Sequence, residues 1–296
     1  MLLLHFSLVR LGVGVLAEFS WVGGRQSIGF ESWIGGSASP WVSGVGVHSG
    51  APCRARVHRA PGEAVSFLVA GRRIPFDVSA VVPSRLCTTV GFAGARVGMI
   101  EHLGAALLAL NLWSGLMFEV EGPELPVLDG SARGWLELLA GVSPEPAPPA
   151  FTPPASRVEV RGGVVQVLPG GEGLRLDVSV DFAHPRIGAQ AWRGDDSDFL
   201  GLLDARTFGL ASDLTALRAA GLGLGVRPEN AVVYGDGIVT PEPRGEDEPV
   251  RHKALDLLGD LYLLGGPLNA LVFASRASHE AHVSAVRSLV REAVAV

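Results

Sequence analysis

The spacing of apolar residues changes along the chain, and each change predicts an element. Ordered structure is expected from about Trp41, where Gly44–Gly50 (GVGVHSG) reads as a strand entering a turn. From residue 55 to 92, apolar and polar residues alternate in short runs divided by Gly and Pro, the pattern of strands. From Met99 to Asn111 the period lengthens. Ile100, Leu103, Ala106, Leu107 and Leu110 fall at three- and four-residue steps, which predicts a helix. A strand at Leu116–Val120, a loop at Glu121–Ser131 and a helix at Ala132–Ala140 follow. Residues Ser143–Ser156 hold six of the 20 prolines and can join neither a helix nor a central strand.

Beyond that stretch the order repeats. Arg157–Phe182 reads as strands with a Gly-rich hairpin at Gly170–Gly173. Phe199–Ala220 reads as one or two helices and Val232–Tyr234 as a short strand. Glu246–Leu264 is a strong helix, Ala270–Ala274 a strand and Glu280–Val294 a last helix. Strands followed by helices in each half predict two similar α+β domains, at 41–142 and 157–296, with 143–156 as linker. The halves share no strong sequence repeat. Residues 1–40, rich in Gly, Ser and Trp, show no period and are expected to be a flexible extension or a start placed too early.

Composition narrows the classes. Apolar residues at 48% and charged residues at 18% belong to a folded chain. A net charge of −6 argues against a nucleic-acid partner. Cys53 and Cys87 cannot build a disulfide framework, which points to a reducing cytoplasm. The apolar run Leu2–Leu16 is too short to span a membrane, is broken by His5 and Arg10, and has no leading cation of a signal peptide. Among 24 Lys and Arg residues only Lys253 is a lysine.

Lys253 lies in the most informative segment, EDEPVRHKALDLLGDLYLL (Glu246–Leu264). His252, Asp256 and Asp260 follow at four-residue steps and share one helix stripe. Alone, that stripe suits a solvated face, with Lys253 paired to Asp256; a His and a carboxylate one turn apart also suit a shared metal ion. In MIEHLGAALLAL, Glu101 and His102 interrupt an apolar helix, where burial is costly without a partner. His102, His252 and Asp256 match the ligand count of a hydrolytic zinc site with one open position, and Glu101 could take a proton from water there. Nothing in the spacing brings the two helices together. His279 and His282 are a further pair, either metal-binding or exposed, while His48 and His184 lie in loops open to either reading. Thr207, in ARTFG, reads as a helix cap or as a donor to an oxyanion.

Taken together, the motifs resemble the zinc-dependent UDP-3-O-acyl-N-acetylglucosamine deacetylases of lipid A biosynthesis. GVGVHSG, RLCTTVG (Arg85–Gly91), EHLGAAL (Glu101–Leu107), PELPVLDGSA (Pro123–Ala132), VDFAHPRIG (Val180–Gly188), ARTFG (Ala205–Gly209) and EDEPVRHKALDLLGDLYLLGGPL (Glu246–Leu268) occur in family order, before His279. The resemblance implies two α+β domains with helices packed together between outer sheets and an active site where the domains meet. It implies Zn2+ on His102, His252 and Asp256, and Glu101 as general base. It implies His279 as general acid held by Asp260, and Thr207 polarising the acetamide carbonyl. Lys253 and Phe208 would contact substrate, and Asp181, Phe182 and His184 would lie near the nucleotide.

The substrate so implied is an acylated UDP-sugar, turned over in the cytoplasm by a monomer with no integral membrane segment. Gly221–Gly237 is the candidate wall of an acyl passage. This sequence departs from the family pattern at Met99 and Ile100, at Ser278, and at Arg276, where a lysine is common beside the substrate. Those departures motivate one alternative, a non-catalytic relative that binds an acylated or nucleotide-linked ligand; a second, a zinc amidase with another substrate, stands because the zinc machinery is indifferent to what lies beyond the amide.

Overall fold

The computed structural model describes residues 38–294. The extension expected before Trp41, with His5, therefore lies outside the described residues up to position 37. Pairing has begun by Ala38, which bridges His58, and Ser39 N donates to Val57 O at 2.8 Å.

The first half runs β1 (Val42–Val45), β2 (Pro52–Ala64), β3 (Ser66–Val69), β4 (Arg72–Pro75), β5 (Thr89–Phe92), β6 (Ala95–Gly98), α1 (Glu101–Ala109), β7 (Ser114–Glu121) and α2 (Arg133–Leu139). The second runs β8 (Ser156–Val160), β9 (Gly163–Pro169), β10 (Leu174–Phe182), β11 (Gly188–Asp195), α3 (Phe199–Leu202), β12 (Phe208–Leu210), α4 (Ala211–Ala219), β13 (Val232–Gly235), β14 (Ile238–Thr240), α5 (Glu248–Leu261), β15 (Ala270–Ser275) and α6 (His279–Val294). The class is α+β.

The two large sheets have the same topology. The first is ordered β1-β2-β7-β3-β4 and the second, read from its other edge, β8-β9-β15-β10-β11. In each, the last strand of the half enters the middle, parallel to one neighbour (β3 or β10) and antiparallel to the other. A helix precedes that strand (α1 or α5) and another follows it (α2 or α6). This duplication leaves no strong sequence repeat, because a sheet face requires apolar character at alternate positions and not particular residues.

Each sheet is buried on one side. On β2, Cys53, Ala55 and Val57 point inward while Arg54, Arg56 and His58 meet Glu121 and Glu119 of β7 on the outer face. On β10, Leu174, Leu176, Val178 and Val180 are buried in alternation. The inner side of the second sheet is covered by α5, which packs on β10 and β11, and α6, which packs on β8 and β9.

The halves meet where α1 packs on α5. Two glycines permit it: a Cβ on Gly104 would lie 2.6 Å from Gly259 O, and a Cβ on Gly259 would overlap Glu101 O. Beyond α5, Tyr262 stacks on Trp113 with ring centroids 4.9 Å apart and donates its hydroxyl to Leu112 O at 2.7 Å. The proline-rich connection is tied to both halves. Ser114 Oγ donates to Glu145 at 2.7 Å, and Asn269 N donates to Phe151 O at 2.8 Å.

Two expectations need correction. The helix expected from Met99 starts at Glu101, because Met99 adopts a left-handed φ of 58° and its side chain enters a core with Val47, Cys87 and Val127. Ile100 is likewise buried. The segment 199–220, expected to be helical, contains only the short α3 and the exposed α4. Between them Phe208–Leu210 pairs parallel with Val232–Tyr234, a gain that outweighs helix propensity around Thr207 and Gly209.

Candidate metal centre

The helix crossing places the polar residues of α1 and α5 together. Glu101, His102, His252, Asp256 and Asp260 are all buried, so none of them forms a solvated face. The α5 stripe points inward because Val250, Ala254, Leu255 and Leu258 are buried as well; the helix is enclosed on nearly every side.

His102 Nε2 and His252 Nε2 lie 3.8 and 3.4 Å from Asp256 Oδ1. These are too long for strong hydrogen bonds, yet two donors each about 2.1 Å from one tetrahedral ion lie about 3.4 Å apart. His252 Nδ1 sits 3.1 Å from Ala205 O, which makes Nδ1 the protonated nitrogen and leaves Nε2 with a free lone pair. Burial, reinforced by the other imidazole, pushes His102 down to about 3, so the ring is neutral. Burial works to raise Asp256, but His252, Lys253 and His279 outweigh it and hold the carboxylate ionised. Lys253 Nζ anchors the other Asp256 oxygen at 2.8 Å and lies 5.8 Å from the Phe208 ring centroid. Two neutral imidazoles and one carboxylate oxygen thus converge as a divalent cation requires, and the residues fit zinc.

A second cluster adjoins the first. His279 Nδ1 is 2.8 Å from Asp260 Oδ2, and its Nε2 faces Glu101 Oε1 at 3.7 Å and Asp256 Oδ2 at 3.8 Å. Thr88 links the two acids: its amide donates to Glu101 Oε2 at 3.0 Å and its hydroxyl to Asp260 Oδ1 at 2.5 Å. Burial pushes Glu101 up to about 8 while His279 pulls it down. Burial would lower His279, but Asp260, Glu101 and Asp256 overcome it and raise the imidazole to about 9.

Thr207, between Arg206 and Phe208, has a buried hydroxyl with no hydrogen-bond partner among the described residues. Its segment is fixed by a buried ion pair, in which Arg206 Nε meets Glu248 Oε1 at 2.9 Å. Phe208 packs edge-on against His252 and Phe182, at 6.0 and 5.4 Å between centroids. His184 packs on Tyr234, which also meets Phe208. Asp181 and Arg276 have exposed side chains, on the end of β10 and the turn before α6. His48 is less open than a surface loop residue: both ring nitrogens are buried without a hydrogen-bond partner among the described residues.

Sequence reasoning gave no role to Thr88, to the His282–Asp260 contact or to the Arg206–Glu248 pair. Each joins residues far apart in the chain. Thr88 did lie inside a matched motif, RLCTTVG, and a glycine next to Asp260 in an apolar helix signals a close approach.

Two imidazoles and a carboxylate placed to share one ion, beside a carboxyl and an imidazole placed to exchange a proton, make the set used by hydrolytic metal enzymes. Comparison with known proteins takes this further. The family model for LpxC, UDP-3-O-acyl N-acetylglycosamine deacetylase, matches residues 37–291, and the chain belongs to that family. Proteins named UDP-3-O-acyl-N-acetylglucosamine deacetylase from Brucella ovis, Brucella canis and Brucella melitensis biotype 2 are each 37% identical to it over 271 residues, covering 86% of this chain and 93% of the relative. Among the described residues no helix is long and apolar enough to cross a membrane.

Proposed function

We propose that the protein removes the N-acetyl group from UDP-3-O-acyl-N-acetylglucosamine, giving the free glucosamine amine and acetate, in lipid A biosynthesis. The observation that carries this reading is the convergence of His102, His252 and Asp256 beside the Glu101–His279 pair, in a chain of this family. Each five-stranded sheet with its helices would be one domain, with the site between them.

His102, His252 and Asp256 would hold Zn2+, which would supply Lewis acidity toward the amide carbonyl and lower the pKa of water to about 7. Glu101, which His279 draws toward its ionised form, takes the proton from the attacking water. The Thr207 hydroxyl, buried with no partner among the described residues, donates to the carbonyl oxygen as charge develops there. An amine leaves poorly unless protonated, so His279, held cationic by Asp260, gives its proton to the departing nitrogen. Lys253 orients Asp256 and, with Phe208, faces the sugar.

The nucleotide is assigned to the side of Phe182, His184, Asp181 and Arg276. The acyl chain is assigned to the loop at 221–226, where Leu224 is half exposed and the backbone pairs with Val47 and His48. The rest of the expected acyl wall, Val232 and Tyr234, is a core of its own with Ile187 and Val239. Two buried free cysteines suit a reducing cytoplasm.

The deciding experiment measures acetate release from UDP-3-O-acyl-GlcNAc and metal content together. One zinc per chain is expected, lost in His252→Ala, with release abolished by a chelator and restored by zinc. Stoichiometric zinc without acetate release from any acylated UDP-sugar would overturn the reading.

Lys253→Arg should lower kcat while the melting temperature holds. The ammonium anchors Asp256 as a compact charge, and the longer planar guanidinium cannot take that place without moving the carboxylate. Unchanged turnover would make Lys253 a mere surface partner of the helix.

A further inference from the structure

We propose that His282 is a positioning residue of the acid–base pair: its hydrogen bond to Asp260 holds that carboxylate, and through it His279, in the reacting orientation. The inference rests on the deacetylase reading above.

His282 lies one turn after His279 on α6, so the two imidazoles leave the helix on one face, with ring centroids 5.8 Å apart and planes at 76°. His282 Nδ1 is 2.8 Å from Asp260 Oδ2, the oxygen that also meets His279 Nδ1 at 2.8 Å. Asp260 is ionised, so each ring donates an N–H to that oxygen. Thr88 supplies a third donor, to Oδ1. With Thr88 and His279 alone, each carboxylate oxygen would have one side-chain donor, and the group could turn about its last torsion with the His279 ring following. His282 approaches Oδ2 along a second direction and removes that freedom.

The effect is transmitted to the reacting atom. His279 Nε2 sits within 4 Å of both Glu101 and Asp256, so a small rotation at Nδ1 moves the donated proton away from the leaving nitrogen. Burial supports a specific role. His282 is 2% exposed, and an apolar side chain would fill that space without the cost of desolvating an imidazole.

The test compares wild type, His282→Leu, His282→Asn, Asp260→Ala and Asp260→Ala with His282→Leu, by acetate release, zinc content and melting temperature. His282→Leu should lower kcat about tenfold, as loss of such an outer partner does, with KM within about twofold and zinc unchanged. His282→Asn, whose amide can donate to Asp260, should recover to within about threefold of wild type. With Asp260 already removed, His282→Leu should cost nothing further.

An unchanged kcat in His282→Leu overturns the inference while leaving the deacetylase reading intact. So does an asparagine variant no better than leucine, or a full further loss in the Asp260→Ala background. A wild-type chain that releases no acetate overturns both. Should His282→Leu not fold, His282→Ala carries the same comparisons.

Discussion

Glu101→Gln should reduce acetate release by about 10²–10⁴-fold while the chain keeps its zinc, its melting temperature and its KM. Glutamine preserves the volume of a side chain that is 1% exposed, and its carbonyl can still accept the Thr88 amide hydrogen bond. What it lacks is the capacity to take a proton from water. The size of the loss separates two roles. A residue that only holds Thr88 would cost one neutral hydrogen bond, about 1 kcal/mol or fivefold in rate. A general base costs roughly 3–5 kcal/mol in the barrier. Steady-state kinetics with metal analysis on the same preparation decide it. A kcat within threefold of wild type would remove Glu101 from the proton transfer.

Glu101 and His279 face each other, yet their surroundings separate them. Glu101 is enclosed by apolar residues of α1 with acids nearby, while His279 is held by Asp260 at 2.8 Å and faces two further carboxylates. The carboxylates around His279 favour its charged form, as the proposed donor requires, and His279 in turn draws Glu101 toward its ionised form, as the proposed acceptor requires.

Parts of this site were legible in the sequence. His252, Asp256 and Asp260 were placed on one face by spacing alone, since a helix allows no other arrangement at four-residue steps. Whether that face met solvent was not legible, because the answer depends on α1, more than 140 residues earlier in the chain. The ordered motifs pointed past that gap, and the crossing of α1 on α5 is what closes it in space. Thr88 escaped notice for the opposite reason: a threonine before a strand is ordinary, and its two hydrogen bonds reach across the chain.

The fold was legible to a similar depth. The strong periods of α1, α5 and α6 marked those helices to within two residues at their starts. Phe199–Ala220 holds the two helices its pattern allowed, but the strand between them was not legible, because its partner, β13, lies further along the chain. The shared topology of the two sheets was invisible, since it resides in strand order. Its consequence is functional. The equivalent helices of the two halves, α1 and α5, meet face to face, and each brings side chains to one cluster, His102 from α1 and His252 and Asp256 from α5.

That meeting depends on two missing side chains, and so Gly259→Ala should be severely destabilising. The added Cβ would overlap the Glu101 carbonyl oxygen, which is backbone and cannot rotate away. Alanine gains about 1 kcal/mol of helix propensity over glycine, but overpacking of this severity costs about 3 kcal/mol or more. The net loss falls on the α1–α5 crossing, so stability and metal binding should fail together: a lower urea midpoint, substoichiometric zinc and no turnover. Gly201→Ala is the control, because a Cβ on that glycine of α3 meets nothing within 4 Å, so the change should leave stability equal to wild type or raise it by up to about 1 kcal/mol. If Gly259→Ala retains full stability and one zinc per chain, the helices do not need this close approach, and some other contact must hold His102 against His252 and Asp256.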